Sequence, residues 1–308
     1  MNCKNEHPFN KKYNNFSFNY KDVIGFQYLF IILVVIIALL LNNNNNYAII
    51  LCILLILVKR IHDYPIHLLY IPSSIISYFT RTPEFLDKDM YFPNNRIFEK
   101  PENFIILKKE VNNMLSLTNN GNTLGLTKNT YGGNNTAIGD NIIKNDNNII
   151  RAWRILNIKA GDTYSSDAIR YFPHLVQLLN TMPEVVSCVI SILEEGVKIP
   201  IHVGYYKGIM RYMIPIIVPK DRDNIFLCVN EIKYHWTEGN GVLWDDTYPH
   251  KVYNNTNEIR VVIYMDVKRP YEGIIKCFND LIIDLAANSK VVKDEIKKTE
   301  IQVKINDS

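Results

Sequence analysis

The stretch Ile201–Pro219, "IHVGYYKGIMRYMIPIIVP", decides how this chain is read. It is a β-type run of branched and apolar residues. Yet it carries His202 two residues before Gly204, and Arg211 nine residues past that histidine. Such groups belong in an apolar strand where the strand lines a site or where the fold itself satisfies them with hydrogen bonds and counter-charges.

Working outward from about residue 197, similar short runs follow: "VKIPIHVG", "IMRYMIPIIVP", "NIFLCVNEIKYHW", "GVLWDD", "HKVYNN" and "EIRVVIYMDV". Clusters of Asp, Asn, Gly and Pro separate them. That spacing predicts an antiparallel sandwich or small barrel. Upstream, residues 96–117 place Phe104, Leu107, Val111, Met114 and Leu115 at helical spacing behind Pro101. This predicts a helix covering one face of the domain. Residues 174–193 are also helical in pattern, but Pro183 cuts them into two helices or a helix and a strand.

The N-terminal region differs. After a polar tail over 1–24, residues 25–41 hold no charge; Asn42–Asn46 interrupt, 47–58 are again uncharged, and Lys59-Arg60 closes the run. About 20 apolar residues span a bilayer. The expectation is a transmembrane hairpin over 25–60, or one span plus a segment lying in the membrane. Lys and Arg flank the pair and are absent from its loop, which predicts that both ends and the main domain face the cytosol. Residues 61–95 form a juxtamembrane connector whose 61–80 portion lies on the membrane surface or is a buried helix. Residues 118–149 are an Asn/Gly-rich insertion, and 271–308 a helical, charged C-terminal tail.

Composition excludes some classes. A net charge of +3 on 308 residues, with no Lys/Arg stretch interleaved with aromatics, gives no case for a nucleic-acid partner. Five scattered cysteines without a CxxC pair are expected to be reduced thiols.

The candidate site is His202, His250 and Arg260. Two histidines at neighbouring strand ends of a barrel can meet at one metal, and imidazole suits Fe(II), Zn(II) or Cu(II). An arginine ten residues past His250 can grip a dicarboxylate bidentately. Asp245 and Asp246 are read as the turn before His250 rather than a third ligand. Trp236 and Trp244 are read as packing residues, and His235 and His174 as exposed and structural.

Residues 191–219 and 236–270 together resemble the aspartyl/asparaginyl β-hydroxylase family, Fe(II)- and 2-oxoglutarate-dependent dioxygenases that also include membrane-bound lipid A acyl hydroxylases. The resemblance covers about Trp153 to Pro270. It implies a mainly β domain with flanking helices over 96–270, a double-stranded β-helix of jelly-roll or cupin type. It implies His202 and His250 as iron ligands, with O2 and 2-oxoglutarate as cosubstrates. By the same resemblance Arg260 holds the distal carboxylate of 2-oxoglutarate, Arg211 stands near the other carboxylate, and Ser191 contacts the cosubstrate. Tyr205, Tyr206 and Lys207 would border the substrate opening. Gly204 stands where most related oxygenases carry Asp or Glu, as in the aspartyl hydroxylase branch. Met213 departs from the pattern, standing where a histidine would donate to the cosubstrate. The implied activity is hydroxylation of a protein Asp or Asn side chain, or of a lipid acyl chain. The alternative is a catalytically weakened member that binds a ligand or partner.

Overall fold

Along residues 260–268 side chains alternate between two buried layers, and this alternation organises the whole body. Val261, Ile263, Met265 and Val267 enter one apolar cluster, Val262 and Tyr264 another. Period-two alternation of this kind is what a strand covered on both faces requires. The computed structural model describes residues 3, 68–116, 143–144, 150–151, 153–290, 292–294 and 296.

In chain order the described elements are α1 (Tyr70–Phe79), β1 (Phe85–Leu86), α2 (Lys88–Tyr91), α3 (Asn95–Glu99), α4 (Pro101–Ser116), β2 (Ile143–Lys144), β3 (Ile150–Arg151), β4 (Trp153–Ala160) and β5 (Thr163–Tyr164). There follow α5 (Ser166–Tyr171), α6 (Pro173–Leu179), β6 (Val185–Leu193), β7 (Lys198–His202), β8 (Ile209–Ile217), β9 (Ile225–Val229), β10 (Ile232–His235), β11 (Val242–Trp244), β12 (His250–Asn254), β13 (Arg260–Lys268) and α7 (Gly273–Ala287).

The major sheet has the order β1-β11-β8-β13-β6-β4-β5, the minor sheet β10-β9-β12-β7. From β6 to β13 the chain passes back and forth between the sheets, staying in one only for the β9–β10 hairpin. Neighbouring strands pair antiparallel throughout. This is the strand order of a double-stranded β-helix. The run "NIFLCVNEIKYHW", one strand by pattern, is two. Asn230 at φ 54 turns it, pairing Ile232 with Val229. Asn is among the few non-glycine residues that tolerate that conformation.

Helices cover the outer face of the major sheet. Pro101 starts α4, where a missing N–H is harmless, and Leu107, Val111 and Met114 form its buried stripe. Ser165 caps α5 by accepting from the Ala168 N–H. Glu110 of α4 accepts from the N–H groups of His174 (2.7 Å) and Leu175 (3.2 Å), satisfying the start of α6 with a carboxylate from another helix. After α6 the chain becomes strand β6, so the segment cut by Pro183 is a helix followed by a strand.

Three expectations meet the structure differently. The reduced state expected of all five cysteines does not hold, because Cys3 and Cys228 are joined by a disulfide. Their 225-residue separation hid the pairing from any reading of spacing. Cys188 is buried and Cys277 exposed. The segment expected as connector supplies helix α1 and the edge strand β1, paired with β11. The apolar runs of the proposed hairpin lie outside the described residues, as does nearly all of 118–149. Among the described residues no helix is long and apolar enough to cross a membrane.

Candidate active site between the sheets

The inward-facing residues of this alternation build one cavity. His202 ends β7 and His250 opens β12, and the two are register partners across that antiparallel pair. Their ring centroids lie 4.0 Å apart at 56°. Imidazoles this close can direct one nitrogen each at a common ion. The cavity's empty volume, open mouth included, is about 340 Å³. Besides the histidines, its lining includes Ser191, Arg211, Met213 and Arg260. Thus five of the expected site residues converge on one space.

His250 is buried, with the Trp244 ring set edge-on at 4.6 Å. Its Nδ1 lies 2.8 Å from the Tyr248 carbonyl oxygen. A carbonyl can only accept, so Nδ1 carries the proton and Nε2 is left with its lone pair for a metal. Burial, then the neighbouring His202 ring, holds His250 well below the usual histidine pKa. Neutral imidazole is the form a metal needs.

Arg260 is 1% exposed. Its Nη2 donates to Ser191 Oγ at 3.2 Å, while Nε and Nη1 have no partner. The guanidinium lies over the Trp236 ring, 5.2 Å from its centroid. Burial without a counter-charge draws its pKa down to about 9. Ser191 Oγ also accepts from Trp153 Nε1 at 2.9 Å, so the hydroxyl proton remains available to the cavity.

Arg211 is held differently. It pairs with Asp246 at 3.1 Å and Asp266 at 2.9 Å and stacks on Tyr264. Burial works against its charge, but the two carboxylates outweigh it and keep its pKa above the ordinary guanidinium value. Asp246 is buried as well, and burial pushes its carboxyl up to about 6 against the pull of Arg211. Its Oδ1 has no hydrogen-bond partner. The Gly204 N–H donates to the Asp246 carbonyl at 2.6 Å, and a Cβ added at Gly204 would collide with the Asp246 carboxylate. The space a side chain at 204 would need is therefore already filled by an acid from another loop.

Asp245 and Asp246 thus do more than shape a turn. Asp245 takes Lys207, Arg269 (2.9 Å) and Thr82 (2.9 Å) in a buried network. This also corrects two assignments. Lys207 is committed to Asp245, and Tyr206 is buried with its hydroxyl donating to Asn279 at 2.8 Å. Neither lines the cavity. Tyr205 sits further out, its ring 5.4 Å from that of Tyr70. Trp153, Trp236 and Tyr264 escaped the sequence reading as site residues. The available signal was strand parity, since Tyr264 lies four residues past Arg260 on the same face.

Two imidazoles, an unpaired buried guanidinium and a hydroxyl fit an iron ion with a dicarboxylate beside it. Among the described residues no group of three or more His, Cys, Asp or Glu forms a metal site. The protein would supply two ligands and leave the other positions to cosubstrate and water.

The model of the aspartyl/asparaginyl beta-hydroxylase family matches residues 102–270. An ornithine lipid ester-linked acyl 2-hydroxylase from Rhizobium tropici is 28% identical over 142 residues, covering 46% of this chain and 50% of that protein. The aspartyl/asparaginyl beta-hydroxylase of Homo sapiens is 28% identical over 111 residues, covering 34% and 14% respectively. The chain spans half or less of the length of these relatives. Among solved structures, a Cupin_2 domain of an XRE family regulator from Enterobacter cloacae matches at 11% identity and TM-score 0.27, over 39% of this chain and 98% of that one. A predicted oxalate decarboxylase from Thermotoga maritima matches at 10% identity and TM-score 0.26, over 38% and 80%. The fold is defined by the strand order of its two sheets. The family model covers more than half of the 308 residues, on the same strands that hold the two histidines and Arg260, and the chain belongs to the aspartyl/asparaginyl β-hydroxylase family.

Proposed function

We propose that this hydroxylase-family chain is a membrane-anchored dioxygenase that uses Fe(II), O2 and 2-oxoglutarate to hydroxylate an unactivated C–H bond. The supporting observation is Arg260. A guanidinium buried beside two imidazoles, with two donors unused and no carboxylate near it, is costly to maintain unless an anion joins it. A carboxylate matches its fork.

When bound, iron with O2 and 2-oxoglutarate supplies the oxidising power for C–H hydroxylation. The chain's residues bind and orient. His202 and His250 offer ring nitrogens, and burial keeps that of His250 neutral. Arg260 and Ser191 grip one carboxylate of the cosubstrate, and the face of Trp236 backs the guanidinium. Trp244 fixes the His250 ring, and the apolar lining formed by Met213, Ile199 and Val252 keeps water out. Asp246 and Asp266 hold Arg211 at the cavity wall.

The substrate is a lipid acyl chain or an Asp or Asn side chain of a protein, and the apolar runs at 25–58 favour the lipid. Those runs would anchor the chain in the bilayer, with no nucleic acid involved. On sidedness the flanking Lys and Arg point to a cytosolic domain, whereas the Cys3–Cys228 bond points to an oxidising compartment. Protease protection of the domain in sealed vesicles decides between them. Succinate release from 2-oxoglutarate on addition of iron tests the chemistry. Its absence together with absent 2-oxoglutarate binding by calorimetry rejects it.

A second reading has one specific observation behind it. Met213 lines the cavity where a histidine would donate, and Arg211 is already neutralised by two carboxylates. The cosubstrate's second carboxylate then has fewer partners, and the chain would be a weakened member that binds a ligand. Tight 2-oxoglutarate binding without any succinate release would establish that reading.

A further inference from the structure

Helices α1 and α7 lie outside the barrel and share an apolar cluster in which Ile76 of α1 and Ile283 of α7 are buried with Tyr206, and Leu69, Phe278 and Ile282 surround them. Thr80 Oγ1 and the Tyr271 hydroxyl hydrogen-bond across the pair at 2.9 Å. Each helix turns a second apolar stripe away from this seam. On α7, Ile274, Leu281 and Leu285 recur at i, i+7 and i+11 and are 85%, 56% and 64% exposed. Its charged residues Lys276, Asp280 and Asp284 occupy a third side. On α1 and the turn before it, Leu68, Ile75 and Phe79 show the same spacing and are also exposed. No residue of α1 is charged. Of twelve exposed large apolar side chains among the described residues, seven fall on these two helices and the turn before α1, so exposure is concentrated there rather than scattered.

We infer that the exposed apolar stripes of α1 and α7 rest on the surface of a lipid bilayer and hold the His202–His250 site against it. The inference builds on the membrane-anchored reading proposed above. Three observations select a bilayer as the occupant. The second apolar run ends at Val58, ten residues before Leu68, a distance of at most roughly 35 Å of extended chain. A chain that enters a bilayer through that run brings α1 to its surface. In sequence Lys59 and Arg60, with Asp63 after them, precede α1, and exposed Arg81 follows it, so the uncharged helix is bracketed along the chain by basic residues, the pattern of segments that lie at anionic head groups. Finally, α1 is joined to the site. Ser73 Oγ accepts from the Lys207 N–H at 2.9 Å, and Tyr70 stacks near Tyr205, both contacts falling on the segment that leaves His202.

The test uses the full chain reconstituted in phosphatidylcholine vesicles with phosphatidylglycerol as a minor component. Nitroxide labels are placed singly, in a background with Cys52→Ser and Cys277→Ser, at Ile75→Cys, Leu281→Cys and, as a control on α4, Ile105→Cys. A fourth sample labels native Cys277 in a Cys52→Ser chain, which leaves both helices unaltered. Collision with oxygen, which concentrates in lipid, is compared with collision with a water-soluble nickel chelate. At Ile75→Cys, Leu281→Cys and Cys277 the expected result is high oxygen access and nickel access several-fold below that at Ile105→Cys. Equal nickel access at all positions would place the stripes in water and overturn the inference. Low access to both reagents would mean a protein surface covers them, a second copy or residues 25–58, and would overturn it equally. Succinate release measured on the same samples reports the chemistry separately. Release with water-facing labels sinks only the docking, and lipid-facing labels without release sink only the hydroxylase reading.

Discussion

Arg211 and Arg260 line the same cavity from adjacent strands of one sheet, and their charges are handled in opposite ways. Arg211 is met by Asp246, Asp266 and the face of Tyr264. Arg260 is met by one serine hydroxyl and an indole face, with two donors unused. The first is a charge satisfied by the fold. The second is a charge that only a ligand can satisfy. Two arginines on inward-facing strand positions are equivalent by pattern. Their neighbours, not their type, decide which of them binds.

The strongest way to break this contrast is to remove the centre between them. His202→Ala and His250→Ala should each weaken Fe(II) binding by at least about 100-fold, more than loss of a supporting partner costs. Anaerobic titration checks it, and retained tight binding would leave the cavity without a metal role. Next comes Arg260→Met. Loss of the buried partner of a carboxylate should cost about 3–5 kcal/mol in 2-oxoglutarate affinity, with iron binding spared. Without ligand, the same variant should be more stable than wild type by about 1–4 kcal/mol, because an unpaired buried charge has gone. Lower stability would show that Arg260 already has an anion in the fold.

Arg211→Met should do the reverse. It strands two carboxylates and should destabilise the protein by about 2–3 kcal/mol, discounted for the partial exposure of the pair. Urea denaturation reads this. Met213→His should sharpen the contrast from the other side by returning a donor to the cavity, tightening 2-oxoglutarate by about 10- to 100-fold. Unchanged affinity in calorimetry would place that side chain away from the cosubstrate.

The smallest effect is in pH. Burial raises the Asp246 carboxyl in the fold to about 6 from its ordinary 3.8. Its protonated form is favoured in the fold, so its contribution to stability is present below pH 4 and lost as pH rises through 6. His250 runs the opposite way, because its depressed value makes its contribution present above 6.5 and lost as pH falls. Comparing wild type with Asp246→Asn cancels the histidine. Their stability difference should move against wild type between pH 4 and 6. A flat difference in urea midpoints would mean Asp246 is not buried as a carboxyl.

Much of the site was legible because strands write it with period two. Ser191, Arg211, Met213 and Arg260 all sit at inward positions, and His202 and His250 at strand ends. What was not legible is which side chains meet across strands. Asp246 reads as a turn residue beside Pro249, yet it fills the space above Gly204 from a loop more than forty residues away. Tyr206 and Lys207 follow the first histidine closely and still turn from the cavity, because Asn279 and Asp245 hold them. The cysteine pairing was hidden for the same reason.

By itself the sequence determined the strand-rich body, the helix over its major sheet, the uncharged N-terminal runs and the pair of histidines with an arginine in order. These follow from local periodicity and residue chemistry, which each segment carries within itself. Only the tertiary structure decided that one arginine is neutralised and the other is not, that an aspartate stands over Gly204, and that α1 and α7 each leave an apolar stripe exposed. Counter-charges, filled volumes and packed seams are made between segments distant along the chain, and no single segment contains them.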